Sequence, residues 1–208
     1  DNMFRKWEIP VKPYLKTGKN TVQIKFKSAV NTGKELAKKI PFTLPESPRS
    51  FVRKAQYQFG WDWGPRLVTA GIWKDVQLEF WNNARIINVK DIQKSTSGAS
   101  TDLHFDIEIY AENAGDYTLD LNKTHRKVSL KKGINTVSVP YETGGMKLWQ
   151  PNGRGEAHLY DFEVKLAKDQ KNIDAKNLRI GLRTVELVQE KDEKGKSFYF
   201  KVNGQPLY

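Results

Sequence analysis

The residues best suited to chemistry lie in the stretch FGWDWGPR, residues 59–66, where two tryptophans flank one aspartate. A sugar ring has apolar C–H faces bordered by hydroxyl groups. A sugar site therefore needs a flat aromatic wall with a carboxylate or a guanidinium at its edge. Trp61 can supply the wall and Asp62 the edge, so the stretch predicts a carbohydrate-binding site.

A structural alternative exists for the aromatic cluster. Trp73 and Trp81 are predicted to fill a sandwich core, as large aromatic residues usually do in strands. The Trp-Asp-Trp triplet differs from them, because the flanking Gly60, Gly64 and Pro65 favour a loop. Two indoles exposed together on a loop form an apolar surface of the kind that usually marks an interaction site. We therefore expect another domain or a ligand to cover this loop.

A second interpretation makes Asp62 the general acid of a hydrolase. Glycosidic hydrolysis by carboxylates needs two of them close together. The next acidic residue along the chain is Asp75. The sequence therefore favours a binding role for Asp62.

Other catalytic and metal-binding signals are missing from the sequence. It contains no cysteine, which excludes a disulfide, a thiolate nucleophile and a cysteine-ligated metal. The histidines His104, His125 and His158 lie too far apart along the chain for the usual metal-ligand spacings, and each is predicted to be a solvated strand or turn residue. The GRGEAH stretch at residues 153–158 lacks the third glycine and the following helix of a phosphate loop. We expect no cofactor and no metal.

The formal net charge of +11 raises the alternative of nucleic-acid binding. Most of the basic residues are lysines scattered along polar faces, with no dense arginine cluster of the kind that reads phosphates or bases. We interpret the charge as a solubilising coat and expect no nucleic-acid partner. No apolar run is long enough to predict a membrane span.

Alternation of apolar and polar residues indicates the elements that hold these side chains. In TDLHFDIEIY, residues 101–110, every second residue is apolar, as in a strand with one wet face. The pattern recurs in TVQIKFKS, KDVQLEF, DYTLDL and YDFEVKL. Glycine-containing turns separate about seven such strands between residues 85 and 189, which is the spacing of an immunoglobulin-like sandwich. The chain is therefore predicted to be all-β.

The first part of the chain is less regular. Strands are predicted near residues 20–28, 51–58 and 72–81, with one helical turn at residues 34–39. So few strands cannot close a sandwich, so we expect this part to belong to a larger domain. At the other end, SFYFKVNGQPLY predicts a hairpin arm without a partner strand. We therefore expect the chain to be cut at both ends.

Four stretches occur in an order that is typical of one enzyme family. NMFRKWEIPVKPYLKTGKNTVQIKFKS precedes FVRKAQYQFGWDWGPRLVTAGIWKDVQLEFW, residues 51–81. LWQPNGRGEAHLYDFEVKL follows at residues 148–166, and then GLRTVEL with FYFKVNGQPLY. Together they resemble the β-mannosidases of glycoside hydrolase family 2 over nearly the whole chain. The Trp-Asp-Trp-Gly-Pro segment is typical of the mannosidase branch, and the later stretches are shared more widely in the family.

This resemblance implies a domain order. Residues 1–83 would be the C-terminal part of a galactose-binding-like jelly-roll domain, a partial jelly-roll β-sandwich. Residues 84–190 would form an immunoglobulin-like β-sandwich, and residues 191–208 would lead into a (β/α)₈ catalytic barrel. The intact enzyme would be an exo-acting, retaining β-mannosidase whose two catalytic glutamates lie beyond Tyr208. This chain alone would then be inactive, and its partners would be its own barrel and, through it, a terminal β-mannoside.

The resemblance also implies roles for individual residues. The family loop that corresponds to residues 60–65 reaches the barrel and shapes the pocket for the terminal mannose. Trp61 would form a wall of that pocket, and Asp62 would bind sugar hydroxyls remote from the reacting carbon. Trp63 and Arg66 would support the loop. The implied location of the parent protein is the bacterial periplasm or the extracellular medium.

A protein of another class remains as the alternative. A stand-alone carbohydrate-binding or adhesion module of two β-sandwiches would bind a glycan through the same aromatic residues, without a barrel. Such a module should close its own first sheet and should bind mannose unaided.

Overall fold

Strands make up most of the regular structure in this computed structural model, which describes residues 2–46, 48–60, 62–97 and 100–207. The chain divides into two compact units, Asp1–Leu78 and Glu79–Tyr208. Within the described residues, every strand lies in the second unit. The predicted all-β class is confirmed.

Seven strands of the second unit form two antiparallel sheets. The strands are β1 (Ala84–Ser97), β2 (Ser100–Ala111), β3 (Gly115–Leu121), β4 (Thr124–Leu130), β5 (Gly133–Tyr141), β6 (Tyr160–Lys168) and β7 (Lys171–Ile180). One sheet has the order β1-β2-β5 and the other the order β4-β3-β6-β7. Three strands facing four agree with the predicted immunoglobulin-like sandwich.

The core of this unit comes from the alternating residues of its central strands. The apolar residues of β2 are buried to 1% exposure or less: Leu103, Phe105, Ile107 and Ile109. The ring of Phe105 lies 4.8 Å from the ring of Phe162 on β6, so it joins the two sheets. Burial of one such side chain stabilises the fold by about 1.5–3 kcal/mol. The strand predicted over residues 101–110 is confirmed, with its wet and dry faces as expected.

A third sheet follows the sandwich. It consists of β8 (Val185–Val188), β9 (Tyr199–Val202) and β10 (Gln205–Leu207), in the order β10-β9-β8. Asn203 and Gly204 connect β9 to β10 with φ angles of +52° and +76°, as a two-residue hairpin loop requires. The prediction of a hairpin arm without a partner was wrong, because β8 pairs with β9 along its whole length.

The first unit contains one α-helix and three 3-10 turns among its described residues. The helix α1 (Ala29–Ala37) begins after Ser28, whose hydroxyl accepts a hydrogen bond from the Asn31 N–H at 3.3 Å. The predicted helical turn at residues 34–39 was therefore placed too late. Across the described residues, no helix has the length and apolar composition of a membrane span, which needs about 20 residues.

The strands predicted in the first part of the chain were wrong. Residues 20–28, 51–58 and 72–81 contain no strand, and residues 51–58 include 3-10 turns. The described β-pairing of the first unit is a single bridge between Asn2 and Arg53. Alternation favours a strand only where a neighbouring strand supplies hydrogen bonds, and none of the described segments does so here.

The core positions predicted for two tryptophans were also wrong. Trp73 retains 63% of its surface exposed and Trp81 retains 38%. Residues 72–81 contain no strand, so their alternation does not place these two indoles in the core of a sheet.

Candidate functional site

The stretch at residues 59–66 forms a short loop whose two ends lie close together. Phe59 ends the 3-10 turn Gln56–Phe59 and is buried, with 3% of its surface exposed. Gly60 has a φ of +94°, a backbone conformation that residues with a Cβ rarely adopt. A Cβ at this position would lie 3.2 Å from the Cα of Arg66. Gly60 and Arg66 are thus the neck of the loop, and the predicted loop conformation is confirmed.

The residues after the neck are open to solvent. Trp63 has 84% of its surface exposed, and Asp62 is exposed too. Asp62 makes no hydrogen bond or ion pair with another described residue, so its carboxylate is available as an acceptor. Trp61, the predicted aromatic wall, lies outside the described residues, and its role stays a prediction.

Arg66 lies at the base of this loop. Its guanidinium carbon is 5.7 Å from the centre of the Phe59 ring. A cation over an aromatic face contributes about 0.5–1 kcal/mol at an exposed site. This contact links Arg66, the last residue of the loop, to Phe59, the buried residue before it. The supporting role of Arg66 stays a prediction.

Arg66 also lines an open depression of about 450 Å³. The other residues of its lining are Val30, Lys34, Pro48 and Val68. Gly33 of α1 allows the close approach beside it, because a Cβ there would lie 2.4 Å from the carbonyl oxygen of Pro48. The depression therefore combines apolar side chains with two cationic ones next to the loop.

The histidines are not brought together. Each lies near one acidic residue. His125 Nδ1 is 2.8 Å from Asp120 Oδ1, His158 Nδ1 is 3.0 Å from Glu156 Oε1, and His104 Nε2 is 3.9 Å from Asp106 Oδ1. His158 and then Lys147 hold the pKa of the exposed Glu156 carboxyl below its usual value. Among the described residues, no three acidic or histidine side chains are grouped as a metal site requires.

A polar cluster around Trp81 was missed by the sequence reasoning. The Trp81 indole N–H donates to Glu112 Oε1 at 3.0 Å, and the Arg85 guanidinium lies 4.3 Å from the centre of the indole ring. Tyr110 contacts the same ring edge-on at 6.4 Å. The one indication in the sequence was Trp81 itself, because an indole N–H usually needs a hydrogen-bond acceptor when the ring packs against protein.

Most of the chain matches two models of known protein families. Residues 1–74 match the glycosyl hydrolase 2 galactose-binding domain-like family, and residues 75–183 match glycosyl hydrolases family 2. The chain belongs to glycosyl hydrolase family 2. The family resemblance predicted from the sequence is confirmed.

Curated family 2 relatives carry the name beta-mannosidase B. The protein of Aspergillus fumigatus is 34% identical over 223 residues, and that of Neosartorya fischeri is 35% identical over 225 residues. Each alignment covers 100% of this chain but only 26% of the relative. The chain thus spans about a quarter of the length of the curated relatives it matches.

Two solved structures are also similar to this chain. The beta-D-mannosidase of Dictyoglomus thermophilum is 36% identical, with a TM-score of 0.77 over 86% of this chain and 23% of that protein. The exo-chitosanase of Amycolatopsis orientalis, at 24% identity and a TM-score of 0.53 over 61% of this chain and 16% of that protein, shares the fold alone.

Proposed function

We propose that this chain is the non-catalytic, sugar-binding part of a longer exo-acting, retaining β-mannosidase that removes terminal β-linked mannose. Family 2 membership and relatives named beta-mannosidase support a glycosidase as the parent protein. The observation that carries the binding role is the exposed carboxylate of Asp62, which bonds to no other described residue. It lies beside the exposed indole of Trp63 in a loop closed at Gly60 and Arg66.

In this proposal the reacting carboxyls belong to the remainder of the parent protein. A retaining glycosidase uses one carboxyl as acid and a second, about 5–5.5 Å away, as nucleophile. The apolar face of Trp61 stacks on the mannose ring, and Asp62 accepts hydrogen bonds from hydroxyls distant from the anomeric carbon. Arg66 keeps the loop in place through its contact with the Phe59 ring. Trp63, 84% exposed in this chain, supports the loop only where the rest of the parent protein packs against it.

Contacts to non-reacting hydroxyls contribute to the rate. Binding energy gained away from the anomeric carbon can hold the sugar ring in the distorted geometry of the transition state. Asp62 suits this role better than proton donation, because a carboxyl that acts as general acid is usually kept protonated by an apolar pocket. Asp62 instead lies in solvent in this chain.

The test is Asp62→Ala in the full-length protein, assayed with an aryl β-mannoside. Loss of charge-assisted hydrogen bonds worth about 1.5–3 kcal/mol each predicts that kcat/KM falls roughly a hundredfold or more, while the thermal unfolding midpoint stays unchanged. The matched control is Asp75→Ala, an exposed acid in the same unit, which should keep normal kinetics. Equal kinetics for both variants would remove Asp62 from the substrate site.

A stand-alone carbohydrate-binding module is the second candidate. It is favoured by exposed aromatic side chains in the first unit, since Tyr57 is 73% exposed and Trp73 is 63% exposed. Calorimetry of the 208-residue chain with mannose separates the two functions. The mannosidase proposal predicts no measurable heat, because half of the pocket is elsewhere, whereas binding at millimolar concentration or below would favour the module.

A further inference from the structure

The chain contains two Asn-Gly dipeptides, at residues 152–153 and 203–204. Asparagine before glycine is open to a specific reaction, because glycine has no side chain to shield its backbone nitrogen. That nitrogen attacks the side-chain carbonyl carbon of the asparagine, and the amide group is lost. Asparagine is one of the thermolabile residues of proteins. Since both dipeptides have the same two residues, the structure around each one decides how easily it reacts.

The first dipeptide lies in an open loop. Asn152 and Gly153 are both exposed, and the Asn152 side chain makes no hydrogen bond with any other described residue. The Gly153 N–H donates to no described group either. Gly153 has a φ of +80°, and a Cβ built there would have no atom within 4 Å. The Asn152 amide is therefore free to rotate, in open space, toward the nitrogen that attacks it.

The second dipeptide is held by the fold. Asn203 Nδ2 donates to the Trp149 carbonyl at 2.8 Å, and Asn203 Oδ1 accepts from the Thr184 N–H at 3.0 Å. The backbone N–H of Asn203 donates to the Thr184 carbonyl at 3.0 Å. Attack by the Gly204 nitrogen requires the Asn203 side chain to turn away from both of its partners. Because two hydrogen bonds must break first, this amide is protected.

We propose that Asn152 is a site of spontaneous modification to aspartate and isoaspartate, and that the fold protects Asn203 from the same reaction. The modification is independent of the proposed function. It needs no enzyme and no cofactor, because water is its only co-reactant.

The reaction has two steps. Hydroxide removes the N–H proton of Gly153, and the nitrogen forms a bond to Cγ of Asn152. The Cγ–Nδ2 bond breaks, and Nδ2 leaves as ammonia with a proton from water, so that a five-membered succinimide ring remains. Water then adds to one of the two ring carbonyls, and the bond from that carbon to the nitrogen breaks. Opening at Cγ gives aspartate, and opening at the backbone carbonyl gives isoaspartate.

The loop responds differently to the two products. The Arg154 N–H donates to the Pro151 carbonyl at 3.0 Å, and the Gln150 N–H donates to the Glu156 carbonyl at 2.9 Å. Isoaspartate adds one carbon atom to the backbone inside the turn at residues 151–154, so we expect the first of these bonds to be lost. Aspartate keeps the backbone and places a carboxylate two residues from the Arg154 guanidinium.

The experiment incubates the full-length protein at mildly alkaline pH under native conditions. Trypsin cuts after Lys147 and Arg154, and peptide mass spectrometry gives the deamidated fraction at residues 152 and 203 over time. Chromatography separates the aspartate peptide from the isoaspartate peptide, and a sample digested without incubation gives the background. Asn152→Gln is the matched variant. Glutamine keeps an amide but would have to form a six-membered ring, so residue 152 should then stay unmodified.

Asn152 is expected to react at least about tenfold faster than Asn203 in the native protein, because only Asn203 must first lose two hydrogen bonds. In denaturant the two rates should converge, since no fold then holds either amide. Equal native rates, a slower reaction at residue 152, or an unreactive Asn152 would overturn the inference. A difference of the same size in denaturant would overturn it too, because the selectivity would then come from the flanking residues and not from the fold.

Discussion

At the scale of single residues, Gly60 decides whether the loop at residues 59–66 can close. Its φ of +94° suits glycine, and the space where a Cβ would sit is bordered by the backbone and side chain of Arg66. An added methyl group would strain the backbone at Gly60 and would also require Arg66 to move by a few tenths of an ångström. The geometry of Asp62 and Trp63 therefore depends on a residue at the base of the loop.

Gly60→Ala is expected to destabilise the protein by about 1–3 kcal/mol, the usual cost of a strained backbone at one residue. In the full-length protein it should also raise KM for an aryl β-mannoside, because the loop tip is displaced. Gly71→Ala is the control, as a Cβ there meets open space and its φ is not in the left-handed region. Chemical unfolding and steady-state kinetics measure both effects, and identical curves for the two variants would show that the neck is not required.

Asn203 is the second residue with an effect beyond its own position. Asn203→Gly keeps a residue that tolerates the φ of +52° and removes only the side-chain bonds to Trp149 and Thr184. Because two backbone groups lose partners, we expect a loss of about 1–3 kcal/mol in the free energy of unfolding. Asn152→Gly, at an exposed loop position, controls for the added backbone freedom. A urea midpoint no lower than that of the control would mean that the Asn203 side-chain bonds contribute nothing to stability.

At the scale of elements, the sandwich depends on alternating strands that meet across one core. Phe105 has no exposed surface and contacts Phe162 of the opposite sheet and Tyr141 of the same one. Its removal leaves a cavity between two sheets that cannot collapse independently. Phe105→Ala is expected to cost about 3–5 kcal/mol. Ile134→Ala, on an exposed position of β5, should change stability by less than about 0.5 kcal/mol. Denaturant unfolding of both variants tests this ranking, which fails if the two midpoints coincide.

The same elements show what a sequence can and cannot predict. β2 was predictable because its dry face is covered within the chain, so period-two alternation was sufficient. The segment at residues 20–28 has the same alternation, yet Val22 is 81% exposed and pairs with no described strand. Alternation reports that a face can be buried, not that a partner is present. The start of α1 was missed although Ser28 carried the signal of an N-cap.

At the scale of the whole molecule, the sequence was enough to select the residues of the candidate site but not to predict how they contact one another. The glycines around the triplet indicated a loop, and the structure closes that loop at Gly60 and Arg66. The contact between Arg66 and Phe59 could not be predicted from the sequence, because spacing along a loop does not determine which side chains contact each other. The polar cluster at Trp81 was missed for a similar reason, since Glu112 lies 31 residues away along the chain.

The last prediction concerns the proposed separation of functions, with binding residues in this chain and the reacting carboxyls in the rest of the parent protein. Retaining hydrolysis needs two carboxyls at a fixed short separation in one pocket. In the proposed function Asp62, which is exposed to solvent in this chain, is a binding group and not one of that pair. The 208-residue chain is therefore expected to release no product from an aryl β-mannoside above the buffer rate, whereas the full-length protein should turn it over. The full-length protein assayed in parallel is the positive control. Turnover by the short chain that disappears in its Asp62→Ala variant would make Asp62 a catalytic residue and would move the reaction into this part of the molecule.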